Sequence, residues 1–364
     1  MTMVTSAQVD VLVPVHSESR PVRRLARSVL EHTNVPVRLL VVAHNIEEQR
    51  IRAALGPYAE DARVDVVGFR DGIPSPAGPM NFALDRVTAP WFTKIDSDDR
   101  LSPGALDGWV RRAETRGADA VLPAMLLPAV GEGFPTPPRR PGRVVLDPVR
   151  DRLSYRTSTM GLFSADLRQQ ARPVEGLETG EDIAPSLRLW FGARKVVAAG
   201  DGDAYLVGDD AVDRVTESAR TLATELAFAP LLVAEDMWGA LGEAARAAVV
   251  RKLIRVHVLG ALGRRELDAT VVSDAANALE TLLRSAPSAL RSLSRLDVEL
   301  IDRLRARAAV EDVAALVERR RRYAQPRAML TPSLHRTLDR DAPLRFLSAS
   351  LLAQRRARRA ARAA

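Results

Sequence analysis

The amino-acid sequence predicts an α/β domain with a mostly parallel sheet, followed by an all-helical domain. The first half alternates short β-branched runs with segments of helical spacing, and after about residue 218 only helical spacing continues. A length of 364 residues also exceeds what a single hydrophobic core usually serves. We therefore predict an α/β domain at residues 1–217, a helical domain at 218–330 and a basic tail at 331–364.

The predicted elements follow one another through short connections. Apolar runs of strand length predict strands at Val9–Val15, Val37–Val42, Val64–Val67, Trp91–Ile95 and Ala120–Leu127. Helical spacing between these runs predicts short helices near residues 22–30, 47–55, 80–87 and 110–116. In the second half, the same spacing predicts longer helices at Met237–Leu262, Glu266–Arg284, Leu296–Ala308 and Val313–Tyr323.

Charge is divided unevenly between the two halves. Residues 1–218 hold 27 basic and 30 acidic side chains, and residues 219–364 hold 26 and 16, so the net charge of +7 arises in the second part. This asymmetry indicates an anionic partner, such as a charged polymer or a membrane surface. The basic part lacks the interleaved aromatic residues of nucleic-acid-binding modules, which argues against nucleic acid.

Several classes of protein are disfavoured by what the sequence lacks. Without cysteine, the chain has no disulfide framework, no thiolate metal site and no cysteine nucleophile. The first ten residues show no signal-peptide pattern, and no apolar run approaches the roughly 18 residues of a membrane span. We therefore expect a cytoplasmic protein, with peripheral contact at the inner face of the membrane as an open alternative.

The strongest chemical signal is a cluster of aspartates after the fourth predicted strand. Asp96, Asp98 and Asp99 follow the apolar run Trp91–Ile95 directly. Ligands of open α/β sheets bind beyond the carboxyl ends of strands, and a hard divalent cation can join carboxylates there to a diphosphate. A solvated turn ahead of the next helix is the alternative interpretation.

Four motifs in order resemble glycosyltransferase family 2, whose members have the GT-A fold. They are Val13-Pro14-Val15-His16-Ser17, an Asn-containing helix with Asn81, Asp96-Ser97-Asp98-Asp99 followed by Leu101-Ser102-Pro103, and Thr179-Gly180-Glu181-Asp182. The resemblance covers about residues 8–215. It implies a metal-dependent transferase that inverts the anomeric centre of a sugar delivered by a nucleotide-sugar donor.

The resemblance also implies roles for individual residues. Asp98 is expected to bind Mg²⁺ or Mn²⁺, and Asp182, supported by Glu181, to act as the general base on an acceptor hydroxyl. The expected donor-binding residues are Pro14, Val15, His44, Asp71, Asn81, Asp96 and Ser97. The family commonly carries an acidic pair where this chain has Ala43-His44-Asn45, so a UDP-sugar is the first expectation while the base specificity stays open.

The helical domain supplies a second candidate site. Arg251, Lys252 and Arg255 lie close together on one predicted helix and are expected to bind an anionic acceptor. The order of a GT-A domain and a helical domain is similar to that of wall-teichoic-acid glycosyltransferases, which implies a cell-envelope polymer as acceptor and a homo-oligomer built through the helices. Two alternatives remain: a lipid-linked or small-molecule acceptor at the membrane, with the Arg-rich tail on the lipid, or a non-catalytic scaffold that binds polyanions.

Overall fold

The computed structural model describes residues 6–127, 132–133, 139–208, 220–322 and 325–363. In the first part of the chain the strands are β1 (Val9–Val15), β2 (Val37–His44), β3 (Val64–Phe69), β4 (Trp91–Lys94), β5 (Arg100–Leu101), β6 (Ala120–Leu122), β7 (Ala124–Leu127), β8 (Glu132–Gly133), β9 (Val145–Leu146), β10 (Leu162–Ser164), β11 (Val196–Ala198) and β12 (Ala204–Leu206). The helices among them are α1 (Val22–Leu30), α2 (Glu48–Leu55), α3 (Ala77–Leu84), α4 (Ala105–Arg116) and α5 (Ile183–Gly192).

Most strands belong to one large sheet of mainly parallel pairs. Its order is β3-β2-β1-β4-β10-β6-β11-β9, and β3, β2, β1 and β4 all run parallel. The strands β10 and β9 run antiparallel to their neighbours. A smaller sheet, β5-β12-β7-β8, lies beside it. The predicted α/β class is confirmed, and the parallel strands bring their carboxyl ends to a common edge.

The predicted strand Ala120–Leu127 is in fact two strands in two sheets. It divides at Pro123: β6 pairs within the large sheet, whereas β7 pairs with β12 and β8 in the small one. Proline has no backbone N–H to contribute to a ladder, so a break at this position costs no hydrogen bond. A continuous apolar run concealed the change of sheet.

Side chains of the large sheet are buried on both faces. Val11 and Val13 of β1 pack in one core with helices α1, α2 and α4, whereas Leu12 packs in a second core with α3 and Trp190. The helix α5 belongs to two cores at once, because Trp190 faces the sheet while Leu187 lies in the core of the helical region. The helix α5 is therefore packed between the two halves of the protein.

The second part of the chain is helical, as predicted. It contains α6 (Leu222–Leu226), α7 (Phe228–Val233), α8 (Asp236–Ala240), α9 (Glu243–Leu253), α10 (Leu259–Leu262), α11 (Ala269–Ser285), α12 (Arg295–Arg305), α13 (Val310–Arg321), α14 (Pro326–Met329) and α15 (Pro343–Ala363). The predicted helix Met237–Leu262 is interrupted, since Gly242 is extended before α9 and a π-helical turn separates α9 from α10. The predicted boundary near residue 217 falls outside the described residues.

The start of α15 and the residues just before it dock on the junction between the two halves. The Asp341 carboxylate accepts hydrogen bonds from Arg152 Nε and Arg251 Nη1, each at 2.9 Å. The ring of Phe346 lies under the guanidinium groups of Arg152 and Arg255. Within the described residues, no helix is both long and apolar enough to cross a membrane.

Candidate active site

The sheet edge collects the ends of four parallel strands. Pro14 and Val15 end β1, His44 ends β2, Asp71 follows β3, and the aspartate cluster follows β4. Since these strands are neighbours in the order β3-β2-β1-β4, their ends form one continuous edge. The Val15 side chain is fully buried in the sheet core, so packing determines its position.

His44 and Asp71 form a hydrogen-bonded pair at one end of this edge. The His44 Nε2 atom lies 2.8 Å from Asp71 Oδ1, and His44 is almost entirely buried. Asn45, which has a positive φ of 55°, accepts hydrogen bonds from the backbone N–H groups of Asp71 and Gly72. The Asn45 side chain thus fixes the backbone of the loop that carries Asp71.

The loop is adapted to an ionised Asp71. Burial opposes ionisation, but hydrogen bonds from His44, the Ile73 backbone N–H and Asn45 outweigh it and hold the pKa of Asp71 below its usual range. At Gly78 in α3, a Cβ would lie 2.3 Å from Asp71 Oδ2, so only glycine fits this close approach. The two predicted donor-site residues are therefore brought together, although their role toward a donor stays a prediction.

Each carboxylate of the aspartate cluster has a protein partner. Lys94 Nζ lies 2.9 Å from Asp96 Oδ1, and Arg20 Nη1 lies 3.0 Å from Asp98 Oδ2. Buried Asp99 accepts hydrogen bonds from the Tyr205 hydroxyl at 2.5 Å and from the Gly208 backbone N–H at 2.7 Å. Asp99 thus ties the cluster to the small sheet.

The contact between Asp99 and the small sheet requires glycine at position 208. Burial and the nearby Asp96 charge raise the pKa of Asp99 to about 7, against the hydrogen bonds from Tyr205 and Gly208. A Cβ at Gly208 would lie 2.1 Å from the Asp98 carbonyl oxygen, which also accepts a hydrogen bond from Arg24. Asp99 is consequently a structural anchor, while Asp96 and Asp98 stand at the edge itself.

The second predicted acidic motif meets the first around Lys94. Asp182 immediately precedes α5, with Glu181 beside it. Burial opposes the charged form of Lys94, but the charges of Asp96, Asp182 and Glu181 outweigh it and hold its pKa above the usual range. Two segments more than 80 residues apart in sequence therefore both contribute carboxylate charge that acts on one ammonium group, and Asp96 contacts it directly.

The surroundings of Asp182 suit proton transfer. Burial and the neighbouring Glu181 charge raise the pKa of Asp182 to about 7, while Lys94 and Lys252 favour its charged form. Burial likewise raises the pKa of Glu181. A carboxylate whose pKa lies near neutrality can accept a proton efficiently at physiological pH.

Two other predicted donor-site residues have different surroundings. Asn81 is buried, and its Nδ2 donates to Glu175 Oε1 at 2.7 Å and to the Pro173 carbonyl. Its Oδ1 is buried with no hydrogen-bond partner among the described residues. Ser97 is buried between Asp96 and Asp98. The side-chain N–H group of Asn81 is thus hydrogen-bonded to the chain segment that leads to α5.

The role of Asp98 as a metal ligand stays a prediction, which the chemistry of its carboxylate allows. Among the described residues, no group of three or more His, Asp or Glu side chains is arranged to hold a metal ion alone. The Asp98 carboxylate is a hard oxygen donor of the kind that Mg²⁺ and Mn²⁺ prefer, with Asp96 near it. Arg20 is paired with Asp98, so a metal ion would compete with this guanidinium.

The predicted acceptor residues of the helical region lie at the junction, where each has protein partners. Arg251 pairs with Asp341, and Arg255 donates to the carbonyls of Ser292 and Asp341. Lys252 is 2 % exposed, and its Nζ lies 3.0 Å from Thr157 Oγ1 and 2.6 Å from His257 Nε2. They do not form an open basic face, and their role toward an acceptor stays a prediction.

Several residues of the site were missed by sequence reasoning. Lys94 is directly adjacent to the aspartate cluster, and its position in a strand was a signal that could have been used. Arg20 and Arg24 follow the end of β1 at helical spacing, so their approach to Asp98 requires knowledge of the fold. Tyr205 carries no local signal, because it reaches Asp99, the residue before β5, only through the pairing of β12 with β5.

Comparisons with known proteins agree with this architecture. The fold matches the crystal structure of S. aureus TarS 1-349 in complex with UDP-GlcNAc, with a TM-score of 0.72 and 16% sequence identity over 88% of this chain and 93% of that chain. The same fragment in complex with UDP matches with a TM-score of 0.69 at equal identity and coverage. Against the longer S. aureus TarS structure, the match covers 85% of this chain and 55% of that chain, with a TM-score of 0.68 and 16% identity.

Sequence comparison identifies the family of the α/β part. No curated protein matches the chain in sequence. Residues 10–170 match the family described as Glycosyl transferase family 2. The predicted family, the GT-A type of sheet and the helical domain that follows it are thereby confirmed. The similarity to Glycosyl transferase family 2 thus lies in residues 10–170, which make up less than half of the chain.

Proposed function

We propose that this chain transfers a sugar from a UDP-sugar to a hydroxyl group of an anionic cell-envelope polymer, with inversion at the anomeric carbon. The observation that carries the proposal is that Asp96 from the first acidic motif and Glu181 and Asp182 from the second all act on Lys94. In this proposal the donor binds at the aspartate cluster, and Asp182 at the start of α5 acts as the general base. The similarity to TarS structures that hold UDP-GlcNAc and UDP supports the choice of donor.

Asp182 has the properties that the reaction requires of its base. An acceptor hydroxyl is a weak nucleophile, and a positioned carboxylate can remove its proton as the hydroxyl attacks. Burial keeps Asp182 ready to accept a proton near pH 7, and Lys94 and Lys252 stabilise its ionised form before attack. Because one base acts opposite the leaving nucleoside diphosphate, we infer a single displacement with inversion.

Asp98 is the residue that we assign to the metal ion, with Asp96 next to the ribose or sugar of the donor. When bound, Mg²⁺ or Mn²⁺ supplies positive charge that neutralises the leaving diphosphate. Arg20 and Arg24 hold the Asp98 side chain and backbone in place. His44 and Asn45, paired with the Asp71 loop, are assigned to the nucleobase.

Peripheral membrane contact is a second property that we propose, on the basis of α15. Its leucines Leu344, Leu351 and Leu352 are all more than a third exposed. The sequence after them holds five arginines and no acid, which suits an anionic lipid surface. Removing residues 353–364 is expected to abolish flotation with anionic vesicles while UDP binding persists; equal flotation of the truncated protein would contradict this contact. A homo-oligomer formed through the helical region stays a prediction.

The transferase proposal is tested by measuring UDP release from a panel of UDP-sugars, with and without Mn²⁺, in the presence of glycerol phosphate or ribitol phosphate polymer. The expected result is polymer-stimulated, Mn²⁺-dependent release of UDP from one sugar nucleotide. Analysis of the product's anomeric configuration by NMR should show inversion. Release that is unaffected by the polymer would reject the anionic acceptor, and absence of any release would reject the transferase.

A further inference from the structure

The candidate base lies at the end of a closed loop, residues 173–182, which we call the base segment. The backbone N–H of Val174 donates to the Glu181 carbonyl at 3.0 Å, so the two ends of the segment are joined. The carbonyl of Asp182 in turn accepts a hydrogen bond from the Ser186 hydroxyl at 2.6 Å, within the first turn of α5. The position of Glu181 and Asp182 in the fold therefore depends on what holds this loop.

The first contact that holds the base segment comes from α3. Asn81 is only 5 % exposed, and its Nδ2 donates to Glu175 Oε1 at 2.7 Å and to the Pro173 carbonyl at 3.3 Å. Both acceptors are direct neighbours of Val174, which is bonded to Glu181. One buried amide group, more than 90 residues away in sequence, thus fixes the end of the loop that is joined to the acidic motif.

A second contact comes from the loop at residues 71–76, which carries Asp71. The hydroxyl of buried Ser75 donates to the Leu177 carbonyl at 3.2 Å, while the Leu177 side chain packs in the core of the helical region. At Gly180, a Cβ would lie 3.0 Å from Phe228 Cδ1, so α7 packs closely against the turn before Glu181. The base segment is therefore packed between the α/β part and the helical region.

The helix α3 contacts the candidate donor edge as well as the base segment. At Gly78 of this helix a Cβ would lie 2.3 Å from Asp71 Oδ2, and Asp71 is paired with His44 at the end of β2. One short helix therefore touches both the Asp71 loop and, through Asn81, the base segment. In enzymes a misplacement of about 1 Å can cost about 10²-fold in rate, so a contact that fixes the position of the base is catalytically important.

We propose that Asn81 and Ser75 are positioning residues that hold the base segment, and with it Asp182, in place relative to the donor edge. Asn81 then acts through Glu175 and Pro173 instead of contacting the donor. The role of Asp182 as the base rests on the proposed function, whereas the hold on the base segment does not.

The hold is tested by amide hydrogen exchange of the full chain, which needs no substrate. Asn81→Ala should raise the exchange rate in residues 174–183 about fivefold or more, because two hydrogen bonds are lost, while β1 keeps its rate. Glu175→Ala changes an exposed residue and should raise the same rates without opening a cavity. Glu175→Gln keeps an acceptor oxygen for Asn81 and is the matched control, expected to exchange like wild type. Unchanged exchange in residues 174–183, or an equal rise in β1, would overturn the proposal.

Kinetics separate a positioning role from a donor contact. With the UDP-sugar that the wild type turns over, Asn81→Ala and Ser75→Ala should lower kcat by up to about 10²-fold, at unchanged KM for that donor and unchanged affinity for UDP. Ser75→Thr, which keeps the hydroxyl, and Glu175→Gln should retain the wild-type kcat. A raised KM or weakened UDP binding in Asn81→Ala at unchanged kcat would instead assign Asn81 to the donor. If no UDP-sugar is turned over but the exchange result holds, the proposed function fails while the hold on the base segment stands.

Discussion

The sheet edge and the domain junction carry opposite imbalances of charge. At the edge, carboxylates from two motifs act on Lys94, and burial together with the neighbouring acidic charges raises the pKa of Asp99 and Asp182 to about 7. At the junction, arginines outnumber acids: Asp341 pairs with both Arg152 and Arg251, and Arg156 Nη1 is buried without a hydrogen-bond partner among the described residues. An acid surplus attracts cations and protons, and an arginine surplus attracts anions. The contrast agrees with a donor and metal ion on one side of Asp182 and an anionic acceptor on the other.

The largest expected effect comes from removing the base at the edge. Asp182→Asn should lower UDP release in the presence of acceptor by about 10²–10⁴-fold, the usual contribution of general base catalysis. UDP affinity measured by calorimetry should be retained, because the substitution leaves the aspartate cluster intact. Asp166→Asn, at an exposed position, is the control. Turnover that persists in Asp182→Asn would remove Asp182 from the mechanism.

Lys94 provides the next test, because its positive charge interacts with carboxylates of both acidic motifs. Lys94→Met should shift the acidic limb of the kcat/KM profile to higher pH by about 1 unit, because loss of a nearby cation makes ionisation of Asp182 harder. Lys195→Met, which alters an exposed lysine, should leave the profile unchanged. An unshifted profile in a folded Lys94→Met protein would show that the two acidic motifs act independently.

A substitution of Asp341 tests the charge pairing at the junction, where this carboxylate binds Arg152 and Arg251. Asp341→Asn removes the carboxylate charge that pairs with buried Arg152, so the free energy of unfolding in urea should fall by about 3 kcal/mol. Asp339→Asn breaks only a partly exposed i,i+3 pair with Arg336 and should cost about 0.5 kcal/mol or less. Equal effects of the two substitutions would mean that Asp341 does not hold the segment before α15 on the junction.

A smaller effect is expected on stability as a function of pH. The folded-state pKa of Asp182 lies above its unfolded value, so ionisation destabilises the fold as pH rises through about 7. Asp182→Asn should therefore melt at a higher temperature than wild type at pH 8, and the difference should vanish near pH 4. A variant less stable than wild type at pH 8 would indicate that the charged carboxylate contributes to folding.

The candidate acidic residues could be predicted from the sequence, whereas the tertiary contacts between them could not. Asp96, Asp98, Glu181 and Asp182 were recognisable because each motif is local, at a strand end or a helix start. Their meeting around Lys94 depends on packing between segments far apart in the chain, which no local pattern encodes.

The same reason explains the errors. The apolar run Ala120–Leu127 gives no sign of the sheet change at Pro123, and Arg251, Lys252 and Arg255 look like a basic surface because their partners, among them Asp341 and Thr157, lie elsewhere in the sequence. Hydrophobic periodicity predicts which residues form helices and strands, but charge pairing at a junction is decided by the tertiary fold.

The most direct test of the central claim is calorimetric titration of the full chain with UDP, with and without Mn²⁺, for wild type and Asp98→Asn. We predict binding that requires Mn²⁺ and is lost in Asp98→Asn, because the sheet edge with the aspartate cluster then holds the donor diphosphate through the metal ion. Absence of UDP binding, or binding that neither the metal ion nor the substitution alters, would contradict the assignment of this edge as the donor site.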